Sequence, residues 1–417
     1  MTTQLVSARE ATRPAAWGAV AALTLCVSTL IASEFMPISL LTPIAADLHV
    51  SEGNAGQAIA VSGMFAVVTS LVISSATRGI DRRVVLLWLT VAMVGSGLIV
   101  AFAPNSVVFM AGRALIGIVI GGFWSMSAAT IMLLVPEAQV PRALGMLNGG
   151  NALATTVAAP LGSFLGQYIG WRGAFFCVVP LAAVTLAWLF ATLPSMPSEH
   201  GAQHGTVFRV LRRRQVPLGM AAVALFFMGQ FGLYTYVRPF LETVTHADPA
   251  TLSIILLLIG AAGLLGTSLI GVILRTRLYS ILIVIPVAMA AIALALILAG
   301  GSTLATAMLL AGWGLLGTAA PVAWWMWLSK VLPDDAEAGG GLMVAVVQLA
   351  IALGATAGGL IYDMSGYGST FAASGVVLCG SALLASLGRR MVARGITDNR
   401  RPSRPARSSA VQQGVSR

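Results

Sequence analysis

Long apolar stretches alternate with short clusters of charge along the whole chain. Windows free of Asp, Glu, Lys and Arg run over residues 14–33, 53–77, 84–112, 114–136, 143–171, 173–198, 215–237, 249–274, 278–329, 338–362 and 364–388. A helix needs about 20 mainly apolar residues to cross the hydrocarbon core of a bilayer, so each window is long enough for one crossing. The ninth is about twice that length and carries Gly300-Gly301-Ser302 near its middle, a turn signal that divides it in two. The pattern predicts an all-α integral membrane protein with twelve transmembrane helices.

Composition agrees. Hydrophobic residues make up 58% of the chain and charged residues 9%, with a mean hydropathy of +0.90, whereas soluble domains carry about 25% charge. Arg9 and Arg13 before an apolar run could mark a cleavable signal peptide. The run is too long for one, however, and contains Glu34, so it reads as the first span. Twelve spans put both termini on one side. The tails and the loops on that side, near Arg78–Arg83, Arg142, Arg209–Arg214, Arg275–Arg277 and Lys330, hold 21 of the 24 Lys and Arg residues. The bias of Lys and Arg toward the cytoplasm then places both termini inside, in a multi-pass protein of the inner membrane. The net charge of +10 is thereby a topology signal and not a nucleic-acid footprint. Cys26, Cys177 and Cys379 lie in apolar stretches and read as packing residues.

The polar stretch from Pro194 to Gln215 divides the chain into two six-helix bundles, residues 15–193 and 215–390. Residues 194–214 read as a cytoplasmic linker, 1–14 as an N-terminal tail and 391–417 as an Arg-rich tail. The halves retain traces of a repeat. Gly112-Arg113-Ala114-Leu115-Ile116-Gly117 aligns with Gly312-Trp313-Gly314-Leu315-Leu316-Gly317, and at the same offset Trp124 meets Trp324. Gly162 to Phe175 likewise resembles Gly358 to Phe371, with Gly-Trp-Arg in one and Gly-Tyr-Gly in the other. Such duplication favours a transporter over a receptor or membrane enzyme. Gly117-x3-Gly121-x3-Ser125, Gly145-x3-Gly149, Gly162-x3-Gly166 and Gly354-x3-Gly358 read as close-packing stripes. Pro160 is expected to kink or loosen span 5 as a gating hinge.

An ionisable group at mid-span costs roughly 2.5–3.5 kcal/mol even on insertion scales, so those that occur there need a reason. Glu34 in span 1 and Arg113 in span 4 lie at similar depths, within about one helical turn, and are expected to meet. Burial disfavours the charged carboxylate whereas a nearby guanidinium favours it, so making and breaking the pair would load and release a proton. A permanent structural ion pair is the alternative. Trp124, Asn148, Asn151, Gln230, Tyr234, Tyr236, Trp324 and Gln348 are candidates to line a midplane cavity, because amides and rings suit a flat, polar, uncharged ligand. Packing within the bundle is the bland alternative for each, and for Tyr234, Tyr236 and Arg238 it is an interfacial aromatic belt. Asp81-Arg82-Arg83 is a candidate gating latch between helix ends; the acidic group Asp334, Asp335 and Glu337 reads as solvated. No Walker sequence, zinc cluster or Ser–His–Asp constellation is apparent, so no cofactor, metal, catalytic residue or enzymatic activity is expected.

These residues together resemble the major facilitator superfamily, and within it the drug:proton antiporter branch, over about residues 15–390. Residues 34–48, from Glu34-Phe35-Met36-Pro37 to Asp47-Leu48, look like the branch's first-span signature. The run 112–117 resembles its span-4 motif, and Ala159-Pro160-Leu161-Gly162 its span-5 motif. Asp81-Arg82-Arg83 is an abbreviated form of the loop motif, with Thr77 at a usual Gly position and no Gly after Arg82. The branch's purine ribonucleoside efflux pumps are most similar, on Ser51–Gln57, Gly121–Ala128 and Thr235–Pro239. The resemblance implies proton-coupled export of inosine- or guanosine-like solutes by a monomer, with Glu34 and Arg113 in proton coupling. Sugar or multidrug efflux, and a receptor without transport, are the alternatives.

Overall fold

A helix begins where a side chain can satisfy its first free N–H groups, and five of the helices start this way. Ser51, Asp81, Asn105, Asp248 and Ser302 each accept a hydrogen bond from the backbone two or three residues on. The computed structural model describes residues 15–197, 215–332 and 336–399, and no strand occurs among them. Span 1 is α1 (Trp17–Ser39) and α2 (Leu41–Asp47). Spans 2 to 4 are α3 (Glu52–Ala76), α4 (Arg82–Ala101) and α5 (Ser106–Leu134). After a 3-10 turn, spans 5 and 6 form α6 (Val140–Thr192). Span 7 is α7 (Val216–Tyr234) and α8 (Val237–Thr243), spans 8 and 9 are α9 (Pro249–Ala299), span 10 is α10 (Thr303–Val331), and spans 11 and 12 are α11 (Ala336–Asn399). Each of the three long helices folds back at one non-helical residue, Gly170, Arg277 or Gly366, so the chain crosses twelve times. The residues 1–14 and 400–417, most of the linker, and the side chains of Asp334, Asp335 and Glu337 lie outside this description.

The two halves repeat one another in their backbone breaks. Span 1 breaks at Leu40 (φ −119°, ψ 13°) and span 7 at Tyr236 (φ −105°, ψ 15°), 196 residues later. At the same offset, Gly170 (φ 70°, ψ 169°) matches Gly366 (φ 74°, ψ −178°). One apolar cluster lies within the first half, around Leu23, Ile120 and Phe123; the other centres on the second half, around Phe226, Leu310 and Trp313, and takes in Ile38, Ile59, Ala60 and Ala159 of the first. A third, smaller cluster at the end of the molecule away from the termini joins Leu40, Phe109 and Trp171 to Tyr236 of the second half. Large apolar side chains stand outward, Leu298 at 89% exposure among them, an exterior suited to hydrocarbon.

The small-residue stripes divide in role. Cβ atoms at Gly117 and Gly121 would fall on the Ser62 and Ala66 carbonyls of α3, and at Gly354 and Gly358 on the Met228 and Gly232 carbonyls of α7. Gly162 and Gly166 instead make room for the Ser39 and Leu40 side chains of span 1. Gly145 and Gly149 face open space, so the expectation of close packing there is corrected: that end of span 5 packs on α1 by another face, where Gly150 meets Thr24 and Ser28. Pro160 lies inside the helix, whose one residue with non-helical φ and ψ is Gly170.

The φ and ψ of Gly170 and Gly366 lie in a region essentially closed to L side chains, at a cost of roughly 1–3 kcal/mol for any other residue. Gly170→Ala and Gly366→Ala are therefore each expected to lower unfolding stability by about that amount. Gly145→Ala, with a helical backbone and room for a methyl group, should be neutral or mildly stabilising. Thermal unfolding in detergent compares the three.

Candidate functional site

A proline inside a helix removes the N–H that would bond the carbonyl four residues earlier. In hydrocarbon that carbonyl must find another donor. Pro37 releases the Ser33 carbonyl, and Arg113 of α5 meets it: Nη1 donates to Ser33 O at 2.8 Å and Nη2 to Glu34 O at 3.0 Å. The same guanidinium donates from Nε to Ala58 O at 3.2 Å and from Nη2 to Ser62 Oγ at 3.3 Å, and is fully buried. Arg113 thus ties spans 1, 2 and 4 together by the fixed fork of its donors.

Arg113 and Glu34 do come together, but by the Glu34 backbone. Among the described residues the ion pairs are Arg172–Asp47 and Arg238–Glu242, so the expected carboxylate–guanidinium pair is not formed. The Glu34 carboxylate, in a residue only 5% exposed, turns to the other half of the molecule, where Gln348 Nε2 donates to Oε1 at 3.3 Å. Beside it, Phe35 stacks on Phe231 across the halves, ring centroids 5.8 Å apart and planes inclined by 24°.

At the offset of 196, Glu34-Phe35 is matched by Gln230-Phe231, and at the offset of 200 that aligns spans 4 and 10, Arg113 is matched by Trp313. The second half therefore holds a neutral version of the site. Pro321 releases the Gly317 carbonyl and Gln230 Nε2 donates to it at 3.4 Å, while Gln230 Oε1 and the Trp313 indole N–H have no partner.

Bonds between the halves lie on one side of Glu34 and Phe35. Toward the face remote from the termini, Ser51 Oγ (2.6 Å) and the Gly53 N–H (3.0 Å) donate to Asp363, and Thr356 donates to Gln57 (3.0 Å). Arg238, held by Glu242, donates to Ser39 O, a carbonyl released by Pro43. On the opposite flank Gln167 donates to Pro249 O (2.9 Å), Ser253 to Ser163 (3.0 Å) and Thr156 to Gly260 O (3.2 Å). Toward the face bearing the termini, no hydrogen bond or ring contact among the described residues joins the halves. Among the described residues, the polar and ring contacts between the halves thus lie from the remote face to the depth of Glu34, Gln348 and the Phe35–Phe231 pair.

The other candidates fare unequally. Tyr236 is fully buried, stacks on Tyr362 and donates to Ala355 O at 2.7 Å; it is part of the closure and not of an interfacial belt. Arg238 is 8% exposed and shares that role. Tyr234 is half-buried against Phe231. Trp324 lies in the core of the second half beside Trp327, and Trp124 packs on that of the first; neither contacts the Glu34 group. Asn148 is exposed and donates to Leu144 O of its own helix, and Asn151 is half-buried. Phe35, Phe231, Gln57, Thr356 and Asp363 were not singled out from the sequence, although the offset of 196 that aligns Gly170 with Gly366 also aligns the two phenylalanines.

The Asp81 group works within the first half. Asp81 caps α4 through the Arg83 N–H (2.8 Å) and accepts from the Met196 N–H (2.9 Å) and the Ser195 hydroxyl. The Arg82 N–H donates to Met196 O (3.2 Å), and Arg83 Nη2 to Phe190 O (2.8 Å). The expected latch between helix ends exists, but it joins span 3 to the end of span 6. Desolvation pushes the Asp81 carboxyl upward; the Ser195, Met196 and Arg83 hydrogen bonds and the Arg83 charge outweigh it and hold the carboxyl below its ordinary value.

Comparison with known proteins is consistent with this architecture. The Major Facilitator Superfamily profile matches residues 22–355. The transcription regulatory protein OpdE of Pseudomonas aeruginosa is 57% identical over 378 residues, 90% of this chain and 94% of that one. The purine ribonucleoside efflux pump NepI of Escherichia coli is 40% identical over 373 residues, 89% and 94% of the two chains. A bacterial homologue of the human lysosomal transporter Spinster, solved in an inward-facing, unoccupied conformation, superposes with a TM-score of 0.77 at 15% identity, covering 92% of this chain and 98% of that one.

Two outcomes are expected. Arg113→Lys leaves the Ser33 carbonyl short of a donor and should cost roughly 1–3 kcal/mol of stability; adding Pro37→Ala restores an N–H to that carbonyl, so a double-mutant cycle on unfolding should show positive coupling. For Asp81 the folded-state pKa is the depressed one, so its contribution is full above the ordinary carboxylate value of 3.8 and is lost as pH falls below it. Hydrogen-exchange protection of the Met196 amide should follow that course in the wild type and lose this pH dependence in Asp81→Asn, whose amide oxygen can still accept the bond but does not titrate.

Proposed function

Since the chain belongs to the Major Facilitator Superfamily, we propose that it is a proton-coupled exporter of purine ribonucleosides such as inosine and guanosine, working by alternating access. The observation that carries the reading is the Glu34–Gln348 bond: one buried acid, on one half, reaches the other half. The similarity to NepI supports the solute class. In this reading the face bearing the termini is cytoplasmic, as the distribution of Lys and Arg favours, and the conformation described is the one that loads solute from inside.

The cycle then follows from which contacts each state can hold. A nucleoside between the halves competes with Glu34 for the Gln348 amide. Rocking of residues 15–193 against 215–390 parts the Ser51–Asp363, Gln57–Thr356 and Arg238–Ser39 contacts and opens the remote face. It also brings the cytoplasmic ends of spans 5 and 8 together, where Gly145 and Gly149 leave room for a close approach. After release outside, a proton neutralises Glu34, whose charge is tolerable only while a donor faces it, and the empty carrier returns. Arg113 remains the scaffold that holds Glu34 in place. For one neutral solute per proton the membrane potential supplies about 2.3 kcal/mol per 100 mV.

The name of the OpdE relative favours a second reading, a membrane receptor that alters expression without moving solute. Uptake of labelled inosine into inverted vesicles, with and without a pH gradient, separates the two. Gradient-dependent accumulation is expected, with Glu34→Gln keeping inosine binding but losing the gradient dependence. Unchanged accumulation in Glu34→Gln would remove the coupling assignment. Stronger competition by a sugar or a hydrophobic cation than by guanosine would replace the solute class, and absence of any solute-dependent proton flux would favour the receptor.

A further inference from the structure

The phenylalanines beside Glu34 and Gln230 are mates under the internal repeat, and they are stacked on each other where the halves last touch. Phe35 is half-buried and contacts the apolar clusters of both halves, whereas Phe231 is buried at 6% exposure and is braced from the side by Tyr234, ring centroids 6.2 Å apart. A rigid ring backed by two others and only partly covered is a stacking surface. Next to it stand one amide and one carboxyl, Gln348 and Glu34, bonded only to each other at 3.3 Å, a longer bond than the Arg113 contacts to Ser33 and Glu34. A flat ring to be stacked and a polar edge to be hydrogen-bonded are the two features of a planar nitrogen heterocycle.

We infer that Phe35, backed by Phe231, is the specificity-determining platform on which the planar ring of the solute stacks, with its polar edge toward Gln348 and Glu34. The inference rests on the proposed transport of nucleosides for the identity of the heterocycle, but its geometry requires only a planar ring. It also explains why the platform belongs to both halves. The solute adds to a stack that already crosses the interface, so its ring stays on Phe35 of the first half while Phe231 moves with the second. Ribose, with no π-face, gains nothing from it.

Equilibrium binding of inosine, a planar hydrophobic cation and free ribose to the purified full-length protein tests the inference in wild type, Phe35→Leu and Phe35→Tyr, each checked for an unchanged elution profile and melting temperature. Phe35→Leu is expected to weaken binding of the planar solute about tenfold, the scale of one base–aromatic stack. Phe35→Tyr, which keeps the ring, should restore it to within about twofold, and any ribose binding should be the same in all three. If inosine does not bind but the planar cation does, with the same Phe35 dependence, the nucleoside reading falls and the platform stands. An unaltered affinity in Phe35→Leu, an equal loss for ribose, or no binding of either planar solute to the wild type overturns the platform.

Discussion

A backbone carbonyl released inside hydrocarbon has no water to turn to, and much of this structure follows from that constraint. Three prolines each strip a carbonyl of its helical donor, and in each case a long polar side chain from another helix supplies the replacement. Arg113 answers Pro37 at Ser33, Arg238 answers Pro43 at Ser39, and Gln230 answers Pro321 at Gly317. The first bond organises the interior of one half, the third that of the other, and the second spans the two. Charge deep in the membrane is here a structural reagent: Arg113 is retained by the carbonyls around it and not by a carboxylate.

That distinction frees Glu34. An acid locked to a guanidinium would have no reason to respond to the opposite bundle. With Arg113 occupied by carbonyls, the carboxylate has the Gln348 amide as its facing donor, and that amide moves with the second half. The repeat sharpens the asymmetry. Backbone breaks at Leu40 and Tyr236, and turns at Gly170 and Gly366, are nearly superimposable in dihedral terms. The residues at the functional depth are not, since Glu34 faces Gln230 and Arg113 faces Trp313 across the repeat. One half has kept an ionisable site and the other a neutral one with unpaired polar atoms.

Closure of the remote face combines polar contacts with the small apolar cluster that joins Leu40, Phe109 and Trp171 to Tyr236. Carboxylate, hydroxyl and amide contacts between Ser51 and Asp363, or Gln57 and Thr356, hold the halves together over small areas near glycine-lined backbone contacts such as Gly53 against Gly359. Bonds of this kind can be exchanged for water when that face opens, each at a net cost of about 1 kcal/mol, whereas an interlocked apolar seam could not be parted so cheaply. The first apolar cluster lies wholly within its half, whereas the second reaches across to Ile38, Ile59, Ala60 and Ala159 of the first.

The pattern of apolar windows and the asymmetry of Lys and Arg were sufficient for the twelve crossings, because burial in a bilayer is a one-dimensional requirement written along the chain. The depth of Glu34 and Arg113 was readable for the same reason, at about 1.5 Å per residue. Which atoms of those residues meet was not. It depended on a carbonyl that Pro37 leaves free and on the reach of a guanidinium from α5. Pairings such as Gln348 with Glu34, Asp363 with Ser51 and Phe35 with Phe231 join residues some 200 to 300 positions apart. Local hydrophobicity carries no information about such distances. Whether Gly145 and Gly149 meet a neighbour or empty space, and whether Tyr236 faces the interface or closes a gate, was decided by the relative tilt of two bundles, a property of the folded whole that no single segment encodes.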